Sequence, residues 1–283
     1  MLKVISWNMK HDPAHWVQVL DSGADVALLQ EACAPPLELA PRIDAGPDPW
    51  VTVGLERRPW RTAVVALSER VRLRHLAMGA LGSTPAGELG VSRPGTIAAA
   101  EVSDPDSGQS LVLVSMYSLW ERPHASTGSS WIYADASAHR LISDISMLIG
   151  QQSSHRIVAA GDLNCLHGHG EDGSQYWANR YRTVFDRMGA IGLDFVGPQY
   201  PNGRQASPWP AELPKESRNV PTFHSNRQHP GTATRQLDFV FVSSMLQQSV
   251  QVWALNAPEQ WGPSDHCQVR ILLNEVGGPA VEW

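Results

Sequence analysis

The chain is built from short apolar runs of strand length, and several of them are closed by a polar residue able to do chemistry. Leu2 to Trp7 runs into Asn8, and Asp25 to Leu29 runs into Gln30-Glu31. Leu111 to Met116 runs into Tyr117, and Arg156-Ile157-Val158-Ala159-Ala160 runs through Gly161 into Asp162-Leu163-Asn164. Runs of this length bounded by turn residues read as buried strands. None approaches the roughly 20 apolar residues needed to span a bilayer. A fold made this way must be a sheet protein with polar groups gathered at strand ends.

The segments between fit the same picture. Asp12-Pro13 reads as an N-cap with proline at the first helical position, and Gly23 as the stop of that helix. Residues 35 to 49 are Pro-rich and read as loop. Strands are expected over 50–55, 62–68, 97–102 and 111–116, the last two joined by a turn at Asp104-Pro105-Asp106-Ser107-Gly108. Tyr133 to Ile149 carries Leu141, Ile145, Leu148 and Ile149 near the helical period, and Trp177 to Gly189 reads as a further helix. Three strands close the chain, over 237–242, 250–255 and 268–273. No repeat, low-complexity tract or linker divides the 283 residues, so one domain over 1–283 is expected.

The formal net charge of −6 speaks against a protein that coats long nucleic acid, where a basic footprint is expected. It leaves a nuclease open, because metal-binding carboxylates make the bare charge more negative than the working protein. The three cysteines, Cys33, Cys165 and Cys267, are too few and too odd in number for a disulfide framework. Met1 to Trp7 lacks the pattern of a signal peptide. A cytoplasmic protein with no membrane association is expected.

Asp162 and Asn164 stand one residue apart, which places both side chains on one face of a strand. An Asp there can take a proton from water or hold a metal, and an Asn can donate to a phosphate oxygen. The same pair also reads as an Asx turn. Asp238, inside Leu237 to Val242, and Ser264-Asp265-His266, just before the last strand, each have an equally plain structural reading when taken singly.

Taken together and in order, Ser6-Trp7-Asn8, Leu29-Gln30-Glu31, Gly161-Asp162-Leu163-Asn164, Leu237-Asp238-Phe239-Val240-Phe241 and Ser264-Asp265-His266-Cys267 resemble the motifs of the endonuclease/exonuclease/phosphatase superfamily. That group includes DNase I-like and apurinic-endonuclease-like enzymes. The resemblance implies an α/β fold, a four-layer αββα sandwich of two mostly antiparallel sheets face to face with helices outside. It also implies a Mg²⁺-dependent, or Mn²⁺-dependent, phosphodiester hydrolase acting on DNA or RNA. A phosphatase or a phospholipase-like diesterase on a small or lipid headgroup substrate is the alternative. A catalytically inactive binding module on the same scaffold is the reading from another class.

Residue by residue, the resemblance makes Glu31 the principal metal ligand, with Asn8 and Asp265 shaping that site. Asp162 orients or deprotonates the water, Asn164 holds the phosphate or the nucleophile, His266 donates to the phosphoryl oxygens, and Asp238 orients and charges His266. Tyr117 matches the apurinic-endonuclease-like branch. The chain departs from that branch at Ser118-Leu119-Trp120-Glu121, which lacks its Pro-Asn, and at Lys10, which stands where it usually has Asp.

Three features lie outside the motifs. Residues 199 to 235 form a long, Pro-rich stretch with little periodicity, expected to flank the site, with Arg204, Arg218 and Arg227 contacting substrate phosphates. His167-Gly168-His169 reads as a flexible glycine-flanked loop in preference to a second metal site. The Trp and Arg residues of 120–131 and 204–235 read equally as a base-stacking surface and as loop packing.

Overall fold

The computed structural model describes residues 1–52, 57–104, 109–150 and 154–274. Two sheets dominate. The first holds, in spatial order, β12 (Val250–Ala254), β13 (Val269–Leu273), β1 (Leu2–Asn8), β2 (Val26–Ala32) and β3 (Arg61–Ala66). The second holds β10 (Leu193–Gly197), β11 (Asp238–Ser243), β9 (Ile157–Asp162), β8 (Gln109–Tyr117), β7 (Ile97–Asp104) and β4 (Arg72–His75). A small parallel pair, β5 (Met78–Ala80) and β6 (Leu89–Val91), stands apart. Each large sheet is antiparallel except for one parallel pair, β1 with β2 and β8 with β9.

Alternation along the strands builds the layers. Val4, Val26, Leu28 and Ile271 of the first sheet meet Ala100, Leu113, Val158, Ala160 and Val240 of the second in one buried cluster between the sheets. The next residues along, Ile5, Trp7, Ala27 and Leu29, face the other way and are covered by Trp16 and Val19 of α1 (Trp16–Leu20). Val114, Ala159, Phe239 and Phe241 likewise face outward, under α2 (Ala134–Ile145) and α3 (Gln175–Ala190). Because the side-chain period of a strand is two, each strand contributes to an inner and an outer core at once. The result is the four-layer sandwich with helices outside.

Several local expectations change. Asp12 does cap, its carboxylate accepting from Ala14 N–H at 2.9 Å, but the helix is a 3₁₀ turn followed by the five residues of α1, ending before Gly23. The helix expected over 133–149 ends at Ile145 and continues as a 3₁₀ turn to Leu148. Of the strand expected over 50–55, residues 53–56 lie outside the described residues, and Thr52 makes a single bridge with Arg58. The turn expected over 104–108 lies outside them from residue 105 onward. The strands β4, β5, β6 and β10 have no counterpart in the sequence reading. His167-Gly168-His169 is a loop, as expected, and His167 is packed within it. His167 packs on Phe185 and Phe195 at 4.6 and 4.7 Å, and Asn219 binds it from the far side of the chain. Among the described residues, no helix is long and apolar enough to cross a membrane. All three cysteines are free, two of them buried.

The topology sends the polar strand ends to one place. The two parallel pairs end side by side, so Asn8 pairs with Gln30 and Tyr117 pairs with Asp162. β11 runs antiparallel to β9 and therefore begins there, with Asp238 opposite Asp162. Gly161 lets β8 and β9 close up, since a Cβ on it would lie 1.9 Å from the Met116 carbonyl oxygen and its φ is +155°.

Candidate active site

At this end of the sandwich, Asn8, Asp162, Asp238 and His266 are all at most 4% exposed, yet they meet in one polar cluster. His266 Nδ1 lies 2.8 Å from Asp238 Oδ2, and its Nε2 lies 3.7 Å from Asp162 Oδ2. The imidazole is thus held between two carboxylates from neighbouring strands. Asn8 Nδ2 donates to Asp162 Oδ2 at 3.0 Å and to Glu31 Oε1 at 3.3 Å, joining the two sheets through one amide. Asn164 donates to Asp162 twice, from its backbone N–H at 2.8 Å and its side-chain amide at 3.2 Å. The Asx-turn reading of Asp162 and Asn164 therefore holds geometrically, and the turn sits inside the cluster. Tyr117 hydrogen-bonds Glu31 and Asn164.

Local backbone strain presents these groups. Glu31 and Asn164 have φ of +48° and +49°, a region that non-glycine residues rarely adopt. Glu31 lies where the β2–β3 register slips between Leu29 and Ala32, so the bulge turns its side chain out of the strand's alternation. Behind the cluster the support is dense. Thr222 Oγ1 accepts from both Leu237 and Asp238 N–H at 3.0 Å, Trp7 Nε1 donates to the His266 carbonyl, and Ser264 Oγ donates to the Asn8 carbonyl.

Burial and mutual charge set the protonation states. Burial pushes the Asp162 carboxyl up, His266 opposes this, and Asp238 and Glu31 add to the rise, bringing it to about 7. Burial alone would lower the His266 pKa. The charges of Asp238 and Asp162 outweigh it and raise the ring to about 10, so it is an imidazolium at neutral pH. Burial raises Glu31, but hydrogen bonding and charge from His11, with hydrogen bonds from Tyr117 and Asn8, outweigh it and leave that carboxyl below its ordinary value. Burial, Glu31 and Asp162 push the Tyr117 hydroxyl well up, so it remains a donor.

A cation finds hard oxygen donors on the cleft wall but no closed cage. Among the described residues, no group of three or more His, Cys, Asp or Glu side chains is arranged around a single point. Mg²⁺ keeps several waters and needs only one or two carboxylates. Glu31 and Asp265, with side chains 13% and 17% exposed, fit that requirement. Asn8 serves differently from a ligand here: its Oδ1 accepts from Lys10 N–H at 2.9 Å and its amide NH₂ faces the carboxylates. Two basic side chains attend the same carboxylates, Lys10 at 3.4 Å from Asp265 and His11 against Glu31.

The cluster opens into a cleft of about 650 Å³. Asn8, Glu31, Tyr117, Asp162, Asn164, Asp265 and His266 line it, and Asp238 stands behind His266. The long segment expected to flank the site does so, through other residues than expected. Phe223 packs against His266 with ring centroids 5.0 Å apart and planes tilted by 55°, it forms bridges with His266 and Arg235, and both Phe223 and Arg235 line the cleft. Arg204 and Arg218 do not line it. Arg204 donates to the carbonyls of Gln205, Pro230 and Asn256, and Arg218 to the Tyr200 carbonyl. Arg227 is exposed and also lies outside the lining. Their guanidinium groups hold loop carbonyls or face solvent, so the phosphate contacts expected of them are not made by this geometry. Arg235 and Lys10 line the cleft as well, and neither was assigned a site role from the motifs. Arg235 precedes the Leu237-Asp238 motif by two residues, and that adjacency was the available signal.

A two-sheet α/β sandwich carrying this cluster at its end defines a DNase I-like architecture. A profile of the Endonuclease/Exonuclease/phosphatase family matches residues 5–266, and the chain belongs to that family. No curated protein sequence matches it. Solved structures share its fold at low identity. An AP endonuclease from Leishmania major superposes with a TM-score of 0.62 at 19% identity, covering 97% of this chain and 88% of that one. An AP endonuclease from Archaeoglobus fulgidus gives 0.59 at 13%, covering 97% and 100%. A 3′ phosphatase from Neisseria bound to a product DNA hairpin gives 0.58 at 17%, covering 96% and 99%.

Proposed function

We propose that this chain, as one domain over 1–283, is a divalent-metal-dependent phosphodiester hydrolase acting on nucleic acid. The observation that carries the reading is the imidazolium of His266 held between Asp238 and Asp162 on the floor of an open cleft, with the Glu31 and Asp265 carboxylates on its wall. Family membership and the fold shared with solved nuclease and phosphatase structures support the same class.

Phosphate ester hydrolysis needs shielded anionic oxygens, a positioned water and stabilisation of the transferring group. Glu31, with Asp265 beside it, would hold Mg²⁺ or Mn²⁺, which supplies charge neutralisation at the phosphate oxygens. Asp162, raised toward neutrality by burial, takes the proton from the attacking water through the carboxylate that Asn164 and Asn8 orient. His266 donates from Nε2 to the phosphoryl oxygens, and Asp238 fixes its orientation and charge through Nδ1. Tyr117, kept as a phenol, holds Glu31 and Asn164 in register across the sheet ends. Lys10 and Arg235 supply further positive charge to the cleft.

The test is incubation with Mg²⁺ or Mn²⁺ and then with EDTA, against single-stranded DNA, duplex DNA, RNA, abasic DNA and inositol phosphates. Metal-dependent cleavage of at least one nucleic acid is expected. Turnover of phosphomonoesters or inositol phosphates alone would replace this reading with the phosphatase one. Absence of turnover on every substrate would leave a binding module.

A further inference from the structure

Beyond the His266 cluster the cleft continues between Trp120, Trp131, Ile132, Trp177 and Tyr181. Two of these rings are unusually open for their size: Trp120 is 59% exposed and Trp131 is 52% exposed. Trp131 is nonetheless backed. Its ring lies 5.1 Å from Trp177, which is itself 4% exposed and packs on Tyr181 and Tyr133. The stack is held by Arg180, whose guanidinium lies over the rings of Tyr133 and Trp177 and pairs with buried Asp135. One polar group completes the wall. Glu171 accepts from Arg235 and from the Tyr181 hydroxyl through its Oε1.

We infer that this end of the cleft is a nucleobase pocket, so that the preferred substrate is a nucleotide whose base is unstacked, in a single strand, loop or frayed end. The inference rests on the phosphodiesterase reading above. Exposed indole faces beside a phosphate-handling cluster match base stacking, which is tolerant of sequence because every base has a π-face. A carboxylate at the rim can accept from exocyclic amino groups. A quaternary ammonium headgroup fits less well, since the Arg180 cation already occupies the aromatic cluster that would cage it. A base paired within an intact duplex cannot present its face to Trp131. The cleft volume suits a ligand of nucleotide size.

The experiment compares steady-state cleavage, with Mg²⁺, of a mixed-sequence single strand, the same strand in a duplex, and a strand of equal length made of abasic linkages. The expected result is a kcat/KM for the single strand roughly 10-fold or more above both others, the range that one lost base–aromatic stack produces. Trp131→Ala should remove the advantage over the abasic strand through KM, and Trp131→Phe should keep it. Equal rates on the three substrates, a duplex preference, or stronger inhibition by phosphocholine than by adenosine 5′-monophosphate would overturn the inference. If no substrate is cleaved, the hydrolase reading fails, and tryptophan fluorescence then decides the pocket separately. Saturable quenching by adenosine 5′-monophosphate in the wild type, absent in Trp131→Ala, supports it, and no quenching overturns it.

Discussion

His266 shows how much of this site is decided by which groups are buried together. An imidazole buried alone would be neutral, and two buried carboxylates alone would repel. Stacked as Asp238–His266–Asp162 they stabilise one another, and the ring pKa rises to about 10. A raised folded value means the folded protein binds this proton more tightly than the unfolded chain. Its contribution to stability is therefore complete below about pH 6.5 and is lost as pH rises through about 10. NMR of the metal-free protein should find the His266 ring still protonated at pH 8.5, and a neutral ring at that pH would contradict the account. Thr222 is the hidden support, because its hydroxyl accepts from two buried backbone N–H groups, one of them that of Asp238. Thr222→Val keeps the shape and leaves those donors unpaired, so a destabilisation of about 1–3 kcal/mol is expected in denaturant melts. Nothing in the sequence singles out Thr222, since its role exists only once the long segment lies beside β11. Asp162, Asn164, Asp238 and His266 were legible because the motifs that carry them are short, ordered and tied to strand ends.

Strands and loops differed in how plainly they could be read. The inner strands announce themselves by continuous apolar runs, since both faces are covered. β10 and β4 lie at the edges of their sheet, and β5 and β6 form a pair of their own, with partly exposed, mixed residues that give no such signal. The segment 199–235 carries no period because side chains and short bridges hold it, with Phe223 paired to both Arg235 and His266. Its arginines were therefore assigned by charge alone, and two of the three hold loop carbonyls instead. Arg204→Ala should lower thermal stability and leave the salt dependence of KM unchanged. Arg235→Ala should raise KM and flatten that dependence. The reverse pattern would restore Arg204 as a substrate contact. Gly161 tests the strand packing itself. Gly161→Ala must place a Cβ against the Met116 carbonyl, so β8 and β9 have to separate at the site. A loss of more than about 2 kcal/mol in urea melts is expected, and wild-type stability would show that the strands can yield there.

The whole molecule places two sheets face to face, each with one parallel pair, and the ends of both pairs meet at one cleft. Asn8 from the first sheet reaches Asp162 in the second, so the site exists only when the sandwich is assembled. Folding and the proposed chemistry are thereby linked through one hydrogen-bonded cluster. The net charge of −6 agrees with a cleft that gathers positive charge locally, through Lys10 and Arg235, in preference to a basic coat. The central claim is that Asp238, which opens β11, and His266, in the segment before β13, act as one unit on the phosphoryl group. A double-mutant cycle on single-turnover cleavage measures this directly. Asp238→Asn and His266→Ala should each slow the reaction by roughly 10²-fold or more, with the double variant little slower than either. If the two losses multiply instead, the residues act independently and the proposed pair does not drive the reaction.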